Sequence, residues 1–264
     1  MNNPNFSDYT LFAIDLVKMA SEILIKGFYS YYKVYSKTGI HNLVTEYDLK
    51  SEKAIIAAIE DKYPKGSILS EEAGTIAKEN EMQWIIDPLD GTVNYAHHIP
   101  FFSVNIALLI NNEITCGVTY GPITDELFVA EKGKGAFLNG NKIEVSSTRE
   151  IEKAFLATGF PYNLNKNPEK CIDRFIDIIK IGTPIRRLGS AALDLAYLAA
   201  GRFDGYWETN LGPWDCAPGI LLIQEAKGKI TDWKGSSFKL SSYNTIVGTN
   251  NKIHQQLINF LKKS

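Results

Sequence analysis

The sequence predicts a layered α/β fold with a large, mostly antiparallel sheet in its middle. Apolar residues recur at helical spacing near both ends of the chain, whereas the stretch between consists of short apolar runs with hairpin signals. No repeat, low-complexity tract or Gly/Ser linker interrupts these blocks. We therefore expect a single domain over residues 1–264, with two sub-regions of about 1–150 and 151–264 and no flexible linker.

Two helices are expected before the sheet. The first covers about residues 8–29, where apolar residues recur every three or four positions and Ser7 is a suitable N-cap. The second covers about residues 47–62, and Pro64 and Gly66 directly after it are typical of a helix end.

Short apolar runs bounded by acids or turn residues predict the strands. Asn139-Gly140 is typical of a two-residue hairpin turn. The predicted strands of the middle region cover residues 67–70, 84–86, 103–110, 114–120, 127–130, 136–138 and 142–145. In the final part of the chain we expect helices over residues 168–179, 190–200, 216–225 and 252–263, with strands over 229–231 and 245–248.

Composition excludes several classes of protein. With 45% hydrophobic and 22% charged residues the chain is not disordered, and a net charge of −2 argues against a nucleic-acid or anionic-membrane binder. The three cysteines are widely spaced and lack zinc-site spacing, which favours a reducing compartment. No secretory signal or membrane span is evident, so we expect a soluble cytoplasmic protein.

The strongest chemical signal is the segment Trp-Ile-Ile-Asp-Pro-Leu-Asp-Gly-Thr, which ends at Thr92. Asp87 closes an apolar strand, Pro88 redirects the chain, and Asp90 follows where both carboxylates can point at one spot. Gly91 permits close backbone approach, and Thr92 offers a hydroxyl and a helix start for an anion. Paired carboxylates beside a phosphate site indicate Mg²⁺ between them, and the alternative is a capped turn with two solvated acids.

This motif resembles the signature of the inositol monophosphatase family of Mg²⁺-dependent, Li⁺-sensitive phosphatases. Further family segments follow the same order, and all of them together cover about residues 43–231; these segments are Leu43–Asp48, Ser70–Glu72 and Trp214–Gly219 running on to Glu225-Ala226. The resemblance, to bacterial members in particular, implies a five-layered αβαβα sandwich with a large sheet, a second smaller sheet and a homodimeric assembly. Lys227 stands where the family usually has a glycine, and Gly228 remains available to cap the preceding helix.

The resemblance also implies two or three Mg²⁺ ions in each active site. The expected metal ligands are Glu71, Asp87, the Leu89 carbonyl, Asp90, Asp215 and Asp48. Asp87 would bridge the first two ions, and Glu71 with Asp48 would hold a third, weaker one.

The implied catalytic residues are Glu71, Thr92 and Asp90. Thr92 and Glu71 would orient the attacking water, and two ions about 3.5–4 Å apart would activate it for in-line attack without a phosphoenzyme. The implied substrate-binding residues are Gly91, Thr92, Ala191, Glu208 and Asp215.

Purely structural roles remain open for several of these residues. Thr45 and Asp48 form a capping-box pattern, and Asp215 could cap the helix that follows it. Glu71 and its neighbour could be a solvated acidic pair, and Glu208 could be a solvated acid in a loop. His97 and His98 are interpreted as loop or packing residues rather than general bases.

The function expected from the resemblance is Mg²⁺-dependent hydrolysis of a small phosphorylated polyol or sugar, with myo-inositol 1-phosphate as the leading substrate. Val93-Asn94-Tyr95 resembles the inositol branch of the family. The alternatives are a fructose-1,6-bisphosphatase or broad sugar phosphatase, and a non-catalytic regulatory or RNA-associated protein that retains the fold. We expect neither a membrane nor a nucleic-acid partner.

Overall fold

The computed structural model describes residues 5–37, 42–78, 81–240 and 244–262. The helices are α1 (Asp8–Phe28), α2 (Glu46–Lys62), α3 (Thr92–Ala96), α4 (Cys171–Ile179), α5 (Ala191–Ala199), α6 (Pro213–Glu225) and α7 (His254–Lys262). The strands are β1 (Val34–Ser36), β2 (Leu43–Thr45), β3 (Ser67–Ser70), β4 (Gly74–Ile76), β5 (Met82–Asp90), β6 (Ser103–Ile110), β7 (Glu113–Gly121), β8 (Glu126–Glu131), β9 (Gly135–Leu138), β10 (Asn141–Ile143), β11 (Leu156–Thr158), β12 (Ile185–Arg186), β13 (Gly205–Leu211), β14 (Lys229–Thr231) and β15 (Asn244–Thr249). Short 3₁₀ turns cover Ile151–Lys153, Leu164–Lys166 and Pro168–Lys170.

Two larger sheets alternate with three helical layers, and β1 and β2 form a separate antiparallel pair. The large sheet has the order β10-β9-β8-β7-β6-β5-β3-β4, and all its neighbouring strands are antiparallel except the parallel pair β3 and β5. The smaller sheet has the order β12-β11-β13-β15-β14. Helices α1 and α2 cover the outer face of the large sheet, α5 and α6 lie between the sheets, and α7 packs on the smaller sheet together with α4. The predicted αβαβα sandwich is confirmed.

Strand β5 is buried on both faces, which explains its continuous apolar sequence. Trp84 and Ile86 belong to the core beneath α1 and α2. Ile85, between them, points to the opposite face and packs with Ala217 of α6. The Asp87–Thr92 motif is therefore attached to a strand that is packed between two helical layers.

The layer between the sheets is packed too tightly for side chains at two positions. A Cβ on Gly219 of α6 would lie 2.5 Å from the Cβ of Leu195 on α5. A Cβ on Gly117 of β7 would lie 2.9 Å from the Cα of Pro218. These glycines let α6 approach both α5 and the large sheet, which fixes where the N-terminus of α6 lies.

Most predicted elements are present, with shifts at their ends. The apolar pattern did not predict several short or polar segments, namely the strands β1, β2, β4, β11, β12 and β13 and the three 3₁₀ turns. The helix predicted from residue 168 begins instead at Cys171, because Glu169 and Lys170 have positive φ angles of 51° and 52°. The last helix begins at His254, and the predicted end at residue 263 lies outside the described residues.

Two predicted caps differ from expectation. Ser7 occupies the N-cap of α1, yet its hydroxyl donates to Glu131 Oε2 over 2.9 Å and makes no capping bond. At the end of α6 it is Lys227, with φ of 71°, that takes the left-handed position. Gly228 follows it and donates to the carbonyl of Ile223 over 2.8 Å, which completes a Schellman-type end.

No helix among the described residues combines the length and the apolar character needed to cross a membrane.

Candidate active site

The turn after β5 directs Asp87 and Asp90 toward one spot. The pairing of β5 with β6 is irregular between these two residues, so the strand bends there. Gly91 then adopts a left-handed conformation with φ of 89°, and a Cβ on it would lie 3.0 Å from the carbonyl oxygen of Phe101. Helix α3 begins directly afterwards, at Thr92. The glycine is required here because the turn is both left-handed and crowded.

A third carboxylate joins these two from a distant part of the chain. Asp215 lies in the first turn of α6, where its Oδ2 accepts a hydrogen bond from the N–H of Gly212 over 2.6 Å. One carboxylate oxygen from each of Asp87, Asp90 and Asp215 lies within 4.8 Å of the others. Asp215 is therefore not the N-cap of α6, which is Gly212, because the helix begins at Pro213 and not after Asp215. Asp215 instead accepts the N–H of that N-cap residue from the third helical position, and this contact coexists with membership of the acidic cluster.

The environment of the cluster disfavours three negative charges. Burial, followed by repulsion from neighbouring carboxylates, raises the pKa of Asp87 and of Asp215 well above their usual range. Burial also raises the pKa of Asp90 to about 6, although hydrogen bonds to its carboxylate oppose this. Oδ1 of Asp87 accepts from the N–H of Leu89 over 3.0 Å, but its buried Oδ2 has no hydrogen-bond partner. Convergent carboxylates with an unpartnered buried oxygen fit a hard divalent cation.

Glu71 lies on the turn after β3 and is close enough for its charge to raise the pKa of the aspartates. Its carboxylate is not one of the three that converge; Oε1 instead lies 2.8 Å from Nζ of Lys37. The same ammonium group also pairs with Glu72. Burial lowers the pKa of Lys37, but attraction to the two glutamates outweighs it and the pKa is raised. Sequence reasoning did not single out Lys37, since a lone lysine carries no motif.

Asp48 and Thr92 meet beside the cluster. The hydroxyl of Thr92 lies 3.1 Å from Asp48 Oδ1 and 3.0 Å from the carbonyl oxygen of Leu89. Asp48 also accepts the N–H of Thr45 over 2.8 Å, and the Thr45 hydroxyl accepts from the N–H of Tyr47, so the capping box is confirmed. Burial raises the pKa of Asp48 to about 6.

The start of α5 closes another side of the cluster. Oδ2 of Asp90 accepts hydrogen bonds from the Ser190 hydroxyl over 2.5 Å and from the N–H of Ala192 over 2.9 Å. Ala191, which the resemblance places in the substrate pocket, is the first residue of α5 and lies between them. Ser190 was not among the predicted site residues, and its position as the N-cap of α5 is the signal that could have identified it.

Glu208 is not a solvated acid in a loop. It lies within β13, is only 9% exposed, and accepts a hydrogen bond from the hydroxyl of Tyr206. Burial raises its pKa to about 7, and the charge of Asp90 adds to this. The loop interpretation failed because the sequence around Glu208 is polar, whereas pairing with β15 and packing against Gly159 bury it.

The two histidines after the signature lie apart from this chemistry. His97 is exposed, and the ring of His98 contacts the ring of Phe28 and the carbonyl oxygen of that residue at 2.9 Å.

The chain matches one protein family in sequence, and its relatives in both sequence and structure belong to the same group. The sequence model of the Inositol monophosphatase family matches residues 5–264. The chain is 41% identical over 247 residues to "Nus factor SuhB" of Haemophilus influenzae, covering 93% of this chain and 92% of that protein. It is 41% identical over 230 residues to "Inositol-1-monophosphatase" of Caulobacter vibrioides, covering 86% and 90% of the two chains. The solved structure of inositol monophosphatase from Anabaena is similar with a TM-score of 0.86 and 39% identity, covering 96% and 94%.

Proposed function

The chain belongs to the inositol monophosphatase family and is a phosphoric monoester hydrolase, and from this premise we propose that it uses Mg²⁺ to hydrolyse a small phosphorylated polyol or sugar. The observation that carries the proposal is the convergence of Asp87, Asp90 and Asp215 around a buried carboxylate oxygen without a partner. Asp87 is buried and the other two carboxylates are half-buried, so the three are stable together only if protons or a cation neutralise them.

The proposed metal ligands are those of the family: Glu71, Asp87, the Leu89 carbonyl, Asp90, Asp215 and Asp48. When bound, Mg²⁺ supplies Lewis acidity, which lowers the pKa of water and neutralises charge on the phosphate and the leaving oxygen. The number of ions that we propose is two or three. Carboxylate and carbonyl oxygens without sulfur or imidazole favour Mg²⁺ over transition metals.

The chain's own groups position the reacting partners. Thr92 and Glu71 orient the attacking water, and the hydroxyl of Thr92 is itself oriented by Asp48 and the Leu89 carbonyl. The backbone N–H groups of Gly91 and Thr92 bind the phosphate at the start of α3. Alignment of water, phosphorus and leaving oxygen then allows in-line displacement without a protein nucleophile.

The polyol end of the substrate is proposed to contact Ala191, Glu208 and Asp215. Glu208 accepts hydrogen bonds from hydroxyl groups, and the Tyr206 hydroxyl fixes the orientation of its carboxylate. Myo-inositol 1-phosphate is the leading substrate, supported by the naming of relatives and by the Val93-Asn94-Tyr95 segment. A fructose-1,6-bisphosphatase or broad sugar phosphatase uses the same metal ligands, so only the pocket walls separate these activities.

A substrate panel tests the proposal. The turnover of inositol 1-phosphate, fructose 1,6-bisphosphate and adenosine 3′,5′-bisphosphate is measured with Mg²⁺ and with a chelator. We expect inositol 1-phosphate to have the highest kcat/KM and chelation to abolish activity. Inositol 1-phosphate as the poorest substrate by orders of magnitude would reject the substrate assignment, and activity insensitive to chelator would reject the metal mechanism.

A regulatory role is the second candidate, because one relative of similar identity is named a Nus factor. The complete set of predicted ligands argues that catalysis is retained alongside any such role. If the purified protein with Mg²⁺ hydrolyses none of the panel, the regulatory alternative is favoured.

The assembly that we propose is a homodimer, on the basis of the family resemblance. Sedimentation velocity at micromolar concentration measures the mass directly. We expect about twice the chain mass of 29.5 kDa, and a monomer across the concentration range would refute the assignment.

A further inference from the structure

Helix α2 presents three buried polar side chains on one face. Asp48, Ser51 and Glu52 are spaced at i, i+3 and i+4, so they lie side by side, and none is more than 6% exposed. Buried polar groups require hydrogen-bond partners. Apart from the capping contact of Asp48 with Thr45, the partners of these three side chains lie in or beside segments of the candidate active site.

The three side chains contact different segments of that site. Asp48 accepts from the hydroxyl of Thr92 at the start of α3. The Ser51 hydroxyl donates to the carbonyl oxygen of Pro88 over 3.0 Å, within the turn between the first two aspartates. Glu52 accepts hydrogen bonds from the turn that joins β3 to β4.

Three donors of this turn converge on one oxygen of Glu52. Its Oε1 accepts from the hydroxyl of Ser70, from the N–H of Glu72 over 3.1 Å and from the N–H of Ala73 over 2.9 Å. Glu71 lies between these donors in the chain. Since the backbone is held on both sides of Glu71, the direction of its side chain is also restricted.

We propose that Glu52 is a positioning residue that holds the β3–β4 turn so that Glu71 is directed at the Mg²⁺ site. The inference rests on the proposed function for the presence of that site. Lys37 lies 2.8 Å from Glu71 and competes with the ion for its carboxylate, so a loosened turn lets Glu71 remain with the lysine. The contribution of Glu52 comes from the reach of its acceptor oxygen and not from its charge.

Two substitutions of Glu52 separate the reach of its side chain from its charge. Glu52→Gln retains an acceptor oxygen at the same reach and removes the charge, whereas Glu52→Asp retains the charge and withdraws the carboxylate by one methylene group. Glu60→Ala is the matched control, because Glu60 lies on the same helix with its side chain exposed. Ser70→Ala removes one donor of the same contact from the other side.

Isothermal titration calorimetry measures Mg²⁺ affinity on metal-free protein without substrate, and thermal unfolding measures the stability of the same samples. Loss of a group that orients a metal ligand costs about 10- to 100-fold in affinity. We expect Glu52→Asp to weaken Mg²⁺ binding about tenfold and Ser70→Ala to weaken it in the same direction. Glu52→Gln and Glu60→Ala are expected to bind like the wild type.

Two results would overturn the inference. Normal Mg²⁺ affinity in Glu52→Asp and Ser70→Ala, with or without a lower Tm, would reduce Glu52 to a structural residue. Weak binding in Glu52→Gln but not in Glu52→Asp would assign the effect to charge.

The calorimetry also separates this inference from the proposed function. If the wild type binds Mg²⁺ but hydrolyses no phosphate monoester, the proposed function fails while the affinities still decide the role of Glu52. If the wild type binds no Mg²⁺, both are overturned.

Discussion

At the scale of single residues, the molecule concentrates negative charge that the whole-chain balance conceals. The chain carries a net charge of only −2, yet the buried Asp87 and the half-buried Asp90 and Asp215 converge on one spot beside Glu71. Without a cation these carboxylates repel one another and resist ionisation, which destabilises the folded state above their ordinary pKa values. The metal-free protein is therefore strained at the place where a cation is proposed to bind.

Asp87→Asn tests this strain. The amide retains the acceptor for the N–H of Leu89 and replaces the unpartnered buried oxygen with a neutral group. We expect the metal-free variant to be more stable than the metal-free wild type by about 1–3 kcal/mol at neutral pH, with activity reduced at least about 100-fold. Thermal unfolding in chelator and turnover in Mg²⁺ measure the two effects. Asp61→Asn is the control, because Asp61 is exposed on α2. If metal-free Asp87→Asn is less stable than the metal-free wild type, charge repulsion at this site does not destabilise the protein.

The raised pKa of Glu208 predicts how the stability of the metal-free protein changes with pH. Its pKa is raised to about 7 by burial, above the ordinary value of 4.5, so the folded state holds this proton to higher pH than the unfolded state. The stability of the metal-free protein should therefore fall as pH rises from about 4.5 to about 7, with a contribution from Glu208 of about 3 kcal/mol. Urea unfolding in chelator across this range measures the slope.

The Glu208→Gln variant shows whether the slope belongs to this residue. We expect a smaller fall in its unfolding free energy over the same pH window, since the amide has no proton to release. The exposed Glu152→Gln serves as the control and should follow the wild type. If the unfolding free energy of Glu208→Gln falls with pH as steeply as that of the wild type, other acids cause the pH dependence.

At the scale of elements, helix starts position most of the proposed site. Helix α3 begins at Thr92, α5 begins beside Ser190, and α6 carries Asp215 in its first turn. The close approach of α5 and α6 at Gly219 fixes two of these starts relative to each other. Much of the site geometry therefore depends on helix packing at a distance from the chemistry.

Gly219→Ala tests that packing. The new Cβ would lie 2.5 Å from the Cβ of Leu195, so the helices must separate. We expect a loss of about 1–3 kcal/mol in the free energy of unfolding, together with weaker Mg²⁺ binding. Helix propensity alone would change stability in the opposite direction by about 1 kcal/mol. The sign of the change in unfolding free energy, measured by chemical denaturation, therefore separates the two effects. A stabilised variant would refute the packing argument.

Predictability from sequence also differs between elements. All strands of the large sheet except β4 follow from local patterns, as does the capping box of α2, because apolar runs and caps depend on residues adjacent in the chain. Strand β13 could not be predicted in the same way, since its polar residues are buried by distant partners. The two-residue strand β12 is too short to carry any pattern.

At the scale of the whole molecule, Mg²⁺ should act as a stabilising ligand. Binding to the folded state alone raises the unfolding free energy by about 2.7 kcal/mol at 100 times the dissociation constant of one site. We expect Tm to rise with Mg²⁺ concentration and to saturate, while sodium chloride at equal ionic strength leaves Tm near the metal-free value. Differential scanning calorimetry measures both, and equal effects of the two salts would argue against a specific site.

By itself the sequence determined most of the helices and longer strands, the Asp87–Thr92 motif, the capping box and the resemblance to a phosphatase family. These features depend on residue types at short spacing, which the chain specifies directly. The resemblance also predicted that Asp215 joins the two earlier aspartates, and the structure brings the three together. Only the tertiary structure decided that Glu208 is buried in a strand and that Glu52 hydrogen-bonds to the turn of Glu71. These contacts join residues far apart in the chain, and their energies come from packing and from the removal of water, which no local pattern encodes.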